Sequence, residues 1–166
     1  MRHVKGLGVV LTALVVMLLG GVADAGHFVE RPNVIQVSAG LSVHYPELGV
    51  FERQPGGGVA FKSKSRFQMK SGATYGWRMK VEPRHTTLKI KEVMTLPSAP
   101  ASWGFSNQVT ISHDRRTSTL ETSLPVDKDG YVYNFWTFSE GDPTGTYHFD
   151  IYAEDTAVGR LEFEVK

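Results

Sequence analysis

The feature that most constrains this chain is an alternation of apolar and polar side chains with a period of two. From residue 35 to 45 every odd position is apolar and every even position is polar or glycine, and Tyr75, Trp77, Met79 and Val81 alternate in the same way. A period of two is typical of a β-strand with one buried face. After residue 25 no stretch repeats apolar residues at helical spacing for more than about one turn. The pattern therefore predicts an all-β protein.

Further extended segments follow along the chain. We predict them at residues 59–69, 88–96, 109–111, 131–138, 146–153 and 160–165, and the last two form a hairpin that turns between residues 154 and 159. Residues 131–138 are apolar or aromatic on both faces, which favours a central strand covered on each side. Seven or eight strands in this length predict a single two-sheet antiparallel β-sandwich over residues 34–166, preceded by an N-terminal arm at residues 26–33.

The first 25 residues have the composition of a secretory signal peptide. Arg2 and Lys5 precede an uncharged run from residue 6 to 23, and Ala23 and Ala25 supply the small residues that a signal peptidase reads. The alternative is a retained anchor helix, because 18 apolar residues just span a bilayer core of about 30 Å. We expect cleavage after Ala25, a periplasmic or secreted protein, and no stable membrane span.

Composition excludes several classes of chemistry and of partner. The chain has no cysteine, so structural disulfides, iron–sulfur clusters and cysteine nucleophiles are excluded. Of its 18 basic and 17 acidic residues, 16 of each remain once residues 1–25 are removed. This balance gives no electrostatic reason to expect a nucleic-acid partner.

Charge is nevertheless unevenly distributed along the sequence. Ten basic residues lie between positions 53 and 91, and ten acidic residues lie between positions 117 and 166. The simpler interpretation is that basic and acidic strands become neighbours and pair across a sheet. The alternative is self-association through opposite charge patches.

The closing segment resembles the last hairpin of immunoglobulin-like sandwiches. Gly145 and Tyr147 match the Gly-x-Tyr opening of the penultimate strand in such domains. The resemblance implies that the Tyr147 hydroxyl bonds back to the preceding corner and that Trp77 packs the middle of the core.

A wider set of markers resembles one bacterial family, domain of unknown function 3859. They are residues 66–67, 75–78, 89–93, Pro97 and the run from Trp136 to Tyr147. The resemblance extends from about Ser65 to the C-terminus and rests on packing and turn residues. It implies an immunoglobulin-like β-sandwich without an established activity, in which Trp77, Trp136, Gly145 and Tyr147 are structural and no catalytic residue can be assigned.

The aromatic residues carry the main functional hypothesis. Tyr131, Tyr133 and Phe135 share one face of their strand, and Trp136 and Phe138 share the other. One set should fill the core, and the other, if exposed, forms an aromatic platform for sugar rings or for a protein. We therefore expect a non-catalytic binding or accessory module of the bacterial envelope, with Tyr131, Tyr133 and Phe135 as binding residues and a protein or glycan partner.

Enzymatic and metal-dependent functions have little support in the sequence. No Gly-x-Ser-x-Gly elbow accompanies His113 and Asp114, and residues 127–130 are typical of a β-turn. We predict no cofactor and no catalytic residue. The alternative function is a periplasmic copper carrier, because cleavage after Ala25 would make His27 the second residue, beside a free amine that could help to bind Cu(II).

Overall fold

The computed structural model describes residues 33–55, 58–104 and 108–166, which form twelve β-strands and no helix. None of these residues therefore belongs to a helix able to cross a membrane. The all-β prediction is confirmed, although the described chain has twelve strands instead of seven or eight. The predicted signal peptide, most of the predicted arm and His27 lie outside the described residues.

The first sheet is built around one long central strand. Its members are β1 (Val34–Ser38), β2 (Leu41–His44), β3 (Glu47–Arg53), β4 (Val59–Ser63), β6 (Thr74–Glu82) and β10 (Tyr131–Thr137). β6 pairs with β10 along one side and with β2 and β3 along the other, and all pairs are antiparallel. β1 and β4 complete the sheet beside β2 and β3.

The second sheet contains the C-terminal hairpin. Its order is β5 (Arg66–Phe67), β12 (Thr156–Val165), β11 (Gly145–Ala153), β7 (Thr87–Thr95), β9 (Thr117–Pro125) and β8 (Val109–Ile111). Among the strand pairs of the described residues, only the short β5–β12 pair is parallel. Glu154 and Asp155 have positive φ angles of 47° and 69°, so the β11–β12 hairpin closes through a two-residue turn that is tighter than expected.

The inward faces of the two sheets form one aromatic-rich core. Trp77 of β6 and Tyr147 and Phe149 of β11 have no exposed surface. Rings from both sheets meet there: Tyr75 of β6 contacts Phe149 with centroids 6.3 Å apart. Sheet-on-sheet burial of alternate residues is the packing expected of a β-sandwich.

The polarised charge distribution is partly paired within the fold. Lys89 and Lys91 of β7, from the basic half of the sequence, form ion pairs with Asp155 at 3.0 Å and with Glu121 at 3.2 Å. Both acidic partners come from the C-terminal half. The pairs support the interpretation that basic and acidic strands lie next to each other.

The structure differs from the local predictions in several places. Residues 35–45 form not one strand but the hairpin β1–β2, because Gly40 adopts a φ of 77°. Residues 117–125 were not predicted as a strand, yet they form β9, in which Ser118 and Leu120 are buried. Residues 131–138 were expected to form a central strand, whereas β10 lies at the edge of the first sheet.

Candidate functional site

The outer face of the first sheet carries the aromatic residues of β10. Val132 is fully buried between the sheets, so the neighbouring odd-numbered side chains point to the opposite face. Tyr131 and Tyr133 are half-buried there, and Phe135 is 42% exposed. The structure therefore brings the three predicted binding residues together on one accessible surface.

Two strands away, Phe51 of β3 extends this surface. Its ring centroid lies 5.5 Å from that of Tyr133 and 5.3 Å from that of Phe135. Strands two positions apart are separated by roughly 9.6 Å, and Gly76 of β6, which pairs with both Phe135 and Gly49, leaves the space between them without a side chain. The glycine therefore allows the rings to meet across the central strand.

Close contacts leave no room for a side chain at Gly76 or at Gly49, which is paired with it. A Cβ atom on Gly76 would lie 2.1 Å from the Asn134 carbonyl oxygen, and one on Gly49 would lie 2.6 Å from the Phe61 ring. Both distances are shorter than a non-bonded contact allows. The rings of Phe51 and Phe61 also meet edge to face at 5.2 Å, so the glycines support a continuous aromatic layer.

Arg78 of β6 adds a positive charge to this layer. Its guanidinium carbon lies 4.2 Å from the ring centroid of Phe61 and 4.5 Å from that of Tyr131. The Arg78 Nη2 atom also donates to Glu47 Oε2 at 3.2 Å. A guanidinium held between two rings is partly desolvated, which strengthens the cation–π attraction. We call Tyr131, Tyr133, Phe135, Phe51, Phe61 and Arg78 together the outer aromatic face.

Two clefts open on the outer aromatic face. The larger has a volume of about 540 Å³ and lies between Phe51 and Val59 on one side and Phe135 and Thr137 on the other. The smaller, of about 140 Å³, is lined by aromatic rings, Arg78 and the carboxylates of Asp127 and Asp129. Apolar walls with a few charged groups are typical of a surface that binds a ligand.

The acidic groups beside the smaller cleft belong to a turn. Asp127 Oδ1 accepts hydrogen bonds of 2.9 Å from the backbone N–H groups of Asp129 and Tyr131, and Gly130 has a φ of 85°. Asp127 therefore holds the turn before β10, as an Asx turn does. Among the described residues no group of three or more His, Asp or Glu side chains could hold a metal ion, and the copper hypothesis for His27 stays a prediction.

A third cleft, of about 200 Å³, lies at one end of the sandwich between Trp103 and Trp136. The Trp103 indole N–H donates to the Arg115 carbonyl at 2.8 Å, and Asp142 Oδ2 accepts from the Ser139 N–H at 2.8 Å. Burial raises the pKa of Asp142. Trp103 therefore joins its loop to that of Arg115, and the Asp142 carboxylate bonds within its own loop.

Beneath the outer aromatic face, a buried carboxylate joins the two sheets. Glu92 of β7 is 1% exposed and accepts hydrogen bonds from Trp77 Nε1, from Asn134 Nδ2 at 2.9 Å and from Trp136 Nε1 at 2.7 Å. Burial raises the pKa of Glu92, and the three donors oppose this rise only in part. The predicted structural residues Trp77 and Trp136 therefore meet at one carboxylate.

The other two predicted structural residues lie at the start of β11. The Tyr147 hydroxyl donates to the Pro143 carbonyl oxygen at 2.6 Å, four residues earlier. This is the geometry of a tyrosine corner. Gly145 has a φ of 127°, a conformation that favours glycine, and it packs against Pro97.

Sequence reasoning missed Phe51, Phe61, Arg78 and Glu92. The local sequence indicates that Glu92 is buried, because Glu92 lies on the same face of β7 as Leu88 and Ile90. No local pattern indicates Phe51, Phe61 or Arg78 as site residues, since only the pairing of β3, β4 and β6 brings them together.

Comparison with protein families gives a match over residues 46–166 to the PM0630 beta sandwich domain. The chain belongs to this family. The matched region of this PM0630 beta sandwich protein includes every residue of the outer aromatic face and the Glu92 network. No curated protein matches the sequence.

A solved structure supports the same architecture. An immunoglobulin-like protein from Pseudomonas aeruginosa is similar with a TM-score of 0.52 and 17% identity, over 78% of this chain and 100% of that one. At this identity the likeness shows the fold alone, an immunoglobulin-like β-sandwich. The alkylpurine DNA glycosylase AlkC of Pseudomonas fluorescens, in complex with DNA containing an abasic-site analogue, gives a TM-score of 0.33 and 8% identity, over 74% of this chain and 30% of that one. That likeness is too weak to support an argument.

Proposed function

We propose that this PM0630 beta sandwich protein is an exported, non-catalytic binding module of the bacterial envelope, and that the outer aromatic face holds its ligand. The observation that carries the proposal is the exposure of Phe135 beside half-buried Tyr131 and Tyr133, with Arg78 held between two rings. Aromatic rings that remain accessible on a sheet mark interaction surfaces, because burying them on binding is favourable.

The assignment to a binding role also rests on the chemistry of the clefts. Asp127 and Asp142 accept hydrogen bonds from their own loops, and the buried Glu92 is bonded to three donors. A catalytic acid or base needs to reach a reacting atom. We assign the protein no catalytic step and no cofactor.

Export rests on the N-terminal sequence. Residues 1–25 have the charged start, apolar middle and small-residue end of a signal peptide, and the resemblance of residues 65–166 to domain of unknown function 3859 favours a bacterial exported protein. N-terminal sequencing of the protein from the periplasm should begin at Gly26. A first residue of Met1 would contradict export by cleavage.

The binding surface is tested with two matched variants. Phe135→Ser removes an exposed ring from the outer aromatic face, and Val34→Ser removes a 48% exposed apolar side chain from the edge strand β1. Each tagged protein is recovered from its native periplasm together with what it retains. We expect any component bound by the wild type to be kept by Val34→Ser and reduced at least tenfold by Phe135→Ser. Equal retention by both variants would contradict the proposal.

A further inference from the structure

The edge strand β10 presents main-chain groups to solvent in a fixed pattern. The Phe138 N–H donates to the Ala73 carbonyl at 2.9 Å, and the Val81 N–H donates to the Gly130 carbonyl at 2.9 Å. In an antiparallel pair, residues that bond to the neighbouring strand alternate with residues that face away. The even-numbered residues of β10 therefore bond to β6, and the odd-numbered residues face the edge.

The main-chain N–H and C=O groups of one odd-numbered residue, Tyr131, already have hydrogen-bond partners. The Tyr131 N–H donates to Asp127 Oδ1 and its carbonyl accepts from the Asp127 N–H at 2.8 Å. Within residues 33–55, 58–104 and 108–166, no strand pairs with the other side of β10. Tyr133, Phe135 and Thr137 are left with N–H and C=O groups that point outward, three donors and three acceptors in one row.

β10 lacks the features by which other sheet edges avoid unwanted pairing. It is seven residues long, is paired with β6 without a register shift, and contains neither a charged residue nor proline. The other strands at the ends of the described sheets are blunted: β5 and β8 have two and three residues, β4 carries Lys62, and β1 has a register shift. The part of β12 that β5 leaves unpaired carries the charged residues Arg160 and Glu162. Short edges, lysines and bulges are the usual protections, so the unprotected edge coincides with the outer aromatic face.

Charge at the two ends of β10 indicates what kind of strand fits. Asp127, Lys128 and Asp129 precede it, with Lys128 paired to Asp129 at 2.7 Å, and Glu140 and Asp142 follow it, so each end keeps a net negative charge. A second copy paired antiparallel along the same edge would place the first acidic pair beside the second pair of its partner, which is repulsive. A segment with basic residues at its ends would instead be attracted at both ends.

We infer that the open edge of β10 receives an extended segment of another polypeptide, which adds a strand beside Tyr133, Phe135 and Thr137, packs an apolar side chain against the outer aromatic face, and carries basic residues at its ends. Strand addition obtains affinity from main-chain hydrogen bonds and specificity from alternate side chains. This inference rests on the proposed function and names its partner as a peptide.

The test uses the exported protein and three capped heptapeptides. The first has the sequence Lys-Val-Thr-Val-Thr-Val-Lys, the second has Glu in place of both Lys, and the third is the first peptide N-methylated at alternate residues so that it cannot donate to the edge. We expect the first peptide to bind at least tenfold more tightly than either of the others. It should also slow amide hydrogen exchange at Tyr133, Phe135 and Thr137 at least tenfold.

Each other outcome overturns the inference. No binding of the first peptide, equal binding of the N-methylated peptide, or unchanged exchange at the three amides would exclude strand addition. If the three amides exchange slowly in the absence of peptide, and the exchange rate depends on protein concentration, the edge is assigned to a second copy of this chain. A soluble peptidoglycan fragment that shifts the Tyr133 and Phe135 ring signals without slowing the amides would assign the face to a glycan.

Failure of the inference is distinguishable from failure of the proposed function. If the peptides fail while Phe135→Ser still loses the component retained by wild type and Val34→Ser, the binding face stands and only the strand-addition mode falls. If Phe135→Ser retains that component as well as Val34→Ser does, the outer aromatic face is not the binding surface.

Discussion

The indole N–H of Trp136 donates a 2.7 Å hydrogen bond to Oε1 of Glu92, and this bond ties the edge strand β10 to the second sheet. The other carboxylate oxygen accepts from Trp77 and Asn134. Immunoglobulin domains of antibodies join their two sheets with a disulfide. In this cysteine-free chain a carboxylate and its donors bridge the two sheets.

Removal of the Glu92 carboxylate should strongly destabilise the fold. Glu92→Ala leaves one buried and two partly buried donors without an acceptor and creates a cavity, so we expect the free energy of unfolding to fall by about 3 kcal/mol. Urea unfolding followed by tryptophan fluorescence measures the change. Glu121→Ala is the control, because Glu121 forms an exposed pair with Lys91 and its loss should cost less than about 1 kcal/mol. Equal effects of the two substitutions would contradict the role of Glu92.

Stability should also depend on pH through Glu92. Burial raises its pKa in the folded protein, whereas the unfolded chain has a value of about 4.3. The folded state therefore holds the proton more tightly, and this stabilising contribution is present below about pH 4 and is lost as the pH rises through the folded pKa.

The measurement is the difference in free energy of unfolding between wild type and Glu92→Gln, which does not titrate at this position. We expect this difference, wild type minus variant, to decrease as the pH is raised from 4 upward. A difference that is constant or that increases would show that the pKa of Glu92 is not raised.

The tyrosine corner offers a third prediction. Tyr147→Phe removes the hydroxyl that donates to Pro143 at 2.6 Å and should lower the free energy of unfolding by about 1–2 kcal/mol, the contribution of one partly buried hydrogen bond. Tyr131→Phe is a matched control, since its ring lies on the outer face over Arg78. A Tyr147→Phe protein as stable as the control would exclude a role for the corner.

The alternation of apolar and polar side chains predicted the architecture. The alternation along residues 75–82 and 88–96 predicts strands whose buried face agrees with that of β6 and β7 in the structure, and the Gly145 and Tyr147 pair indicated the closing hairpin. β9 was missed because its sequence of threonines, serines and two leucines is too polar to stand out, although β7 and β8 pair with it on both sides. Pairing between distant strands is a tertiary property that local alternation does not encode.

The candidate site was predictable only in part. Tyr131, Tyr133 and Phe135 follow from alternation within one strand, but their exposure depends on β10 lying at an edge, and apolar residues on both faces favoured a central strand instead. Phe51 joins them because Gly76 has no side chain, which is a consequence of register. The alternation along β7 indicates that Glu92 is buried. It does not indicate the three hydrogen-bond donors of Glu92, because they lie on β6 and β10.

The copper alternative has its own test. If His27 and a new amine at Gly26 form a Cu(II) site, the mature protein should bind Cu(II) more tightly than its His27→Ala variant. We expect calorimetry to show equal affinities for the two proteins, because His27 has no second histidine two or four residues away to share a metal. Tighter binding by the wild type would favour the copper carrier.

The open edge of β10 is tested most directly by residue-resolved amide hydrogen exchange on the protein without ligand, at two protein concentrations. We predict that the amides of Val132, Asn134 and Trp136 exchange at least a hundredfold more slowly than those of Tyr133, Phe135 and Thr137, at both concentrations. Equal protection of all six amides would mean that the edge is already covered, and it would contradict the assignment of this surface to a partner.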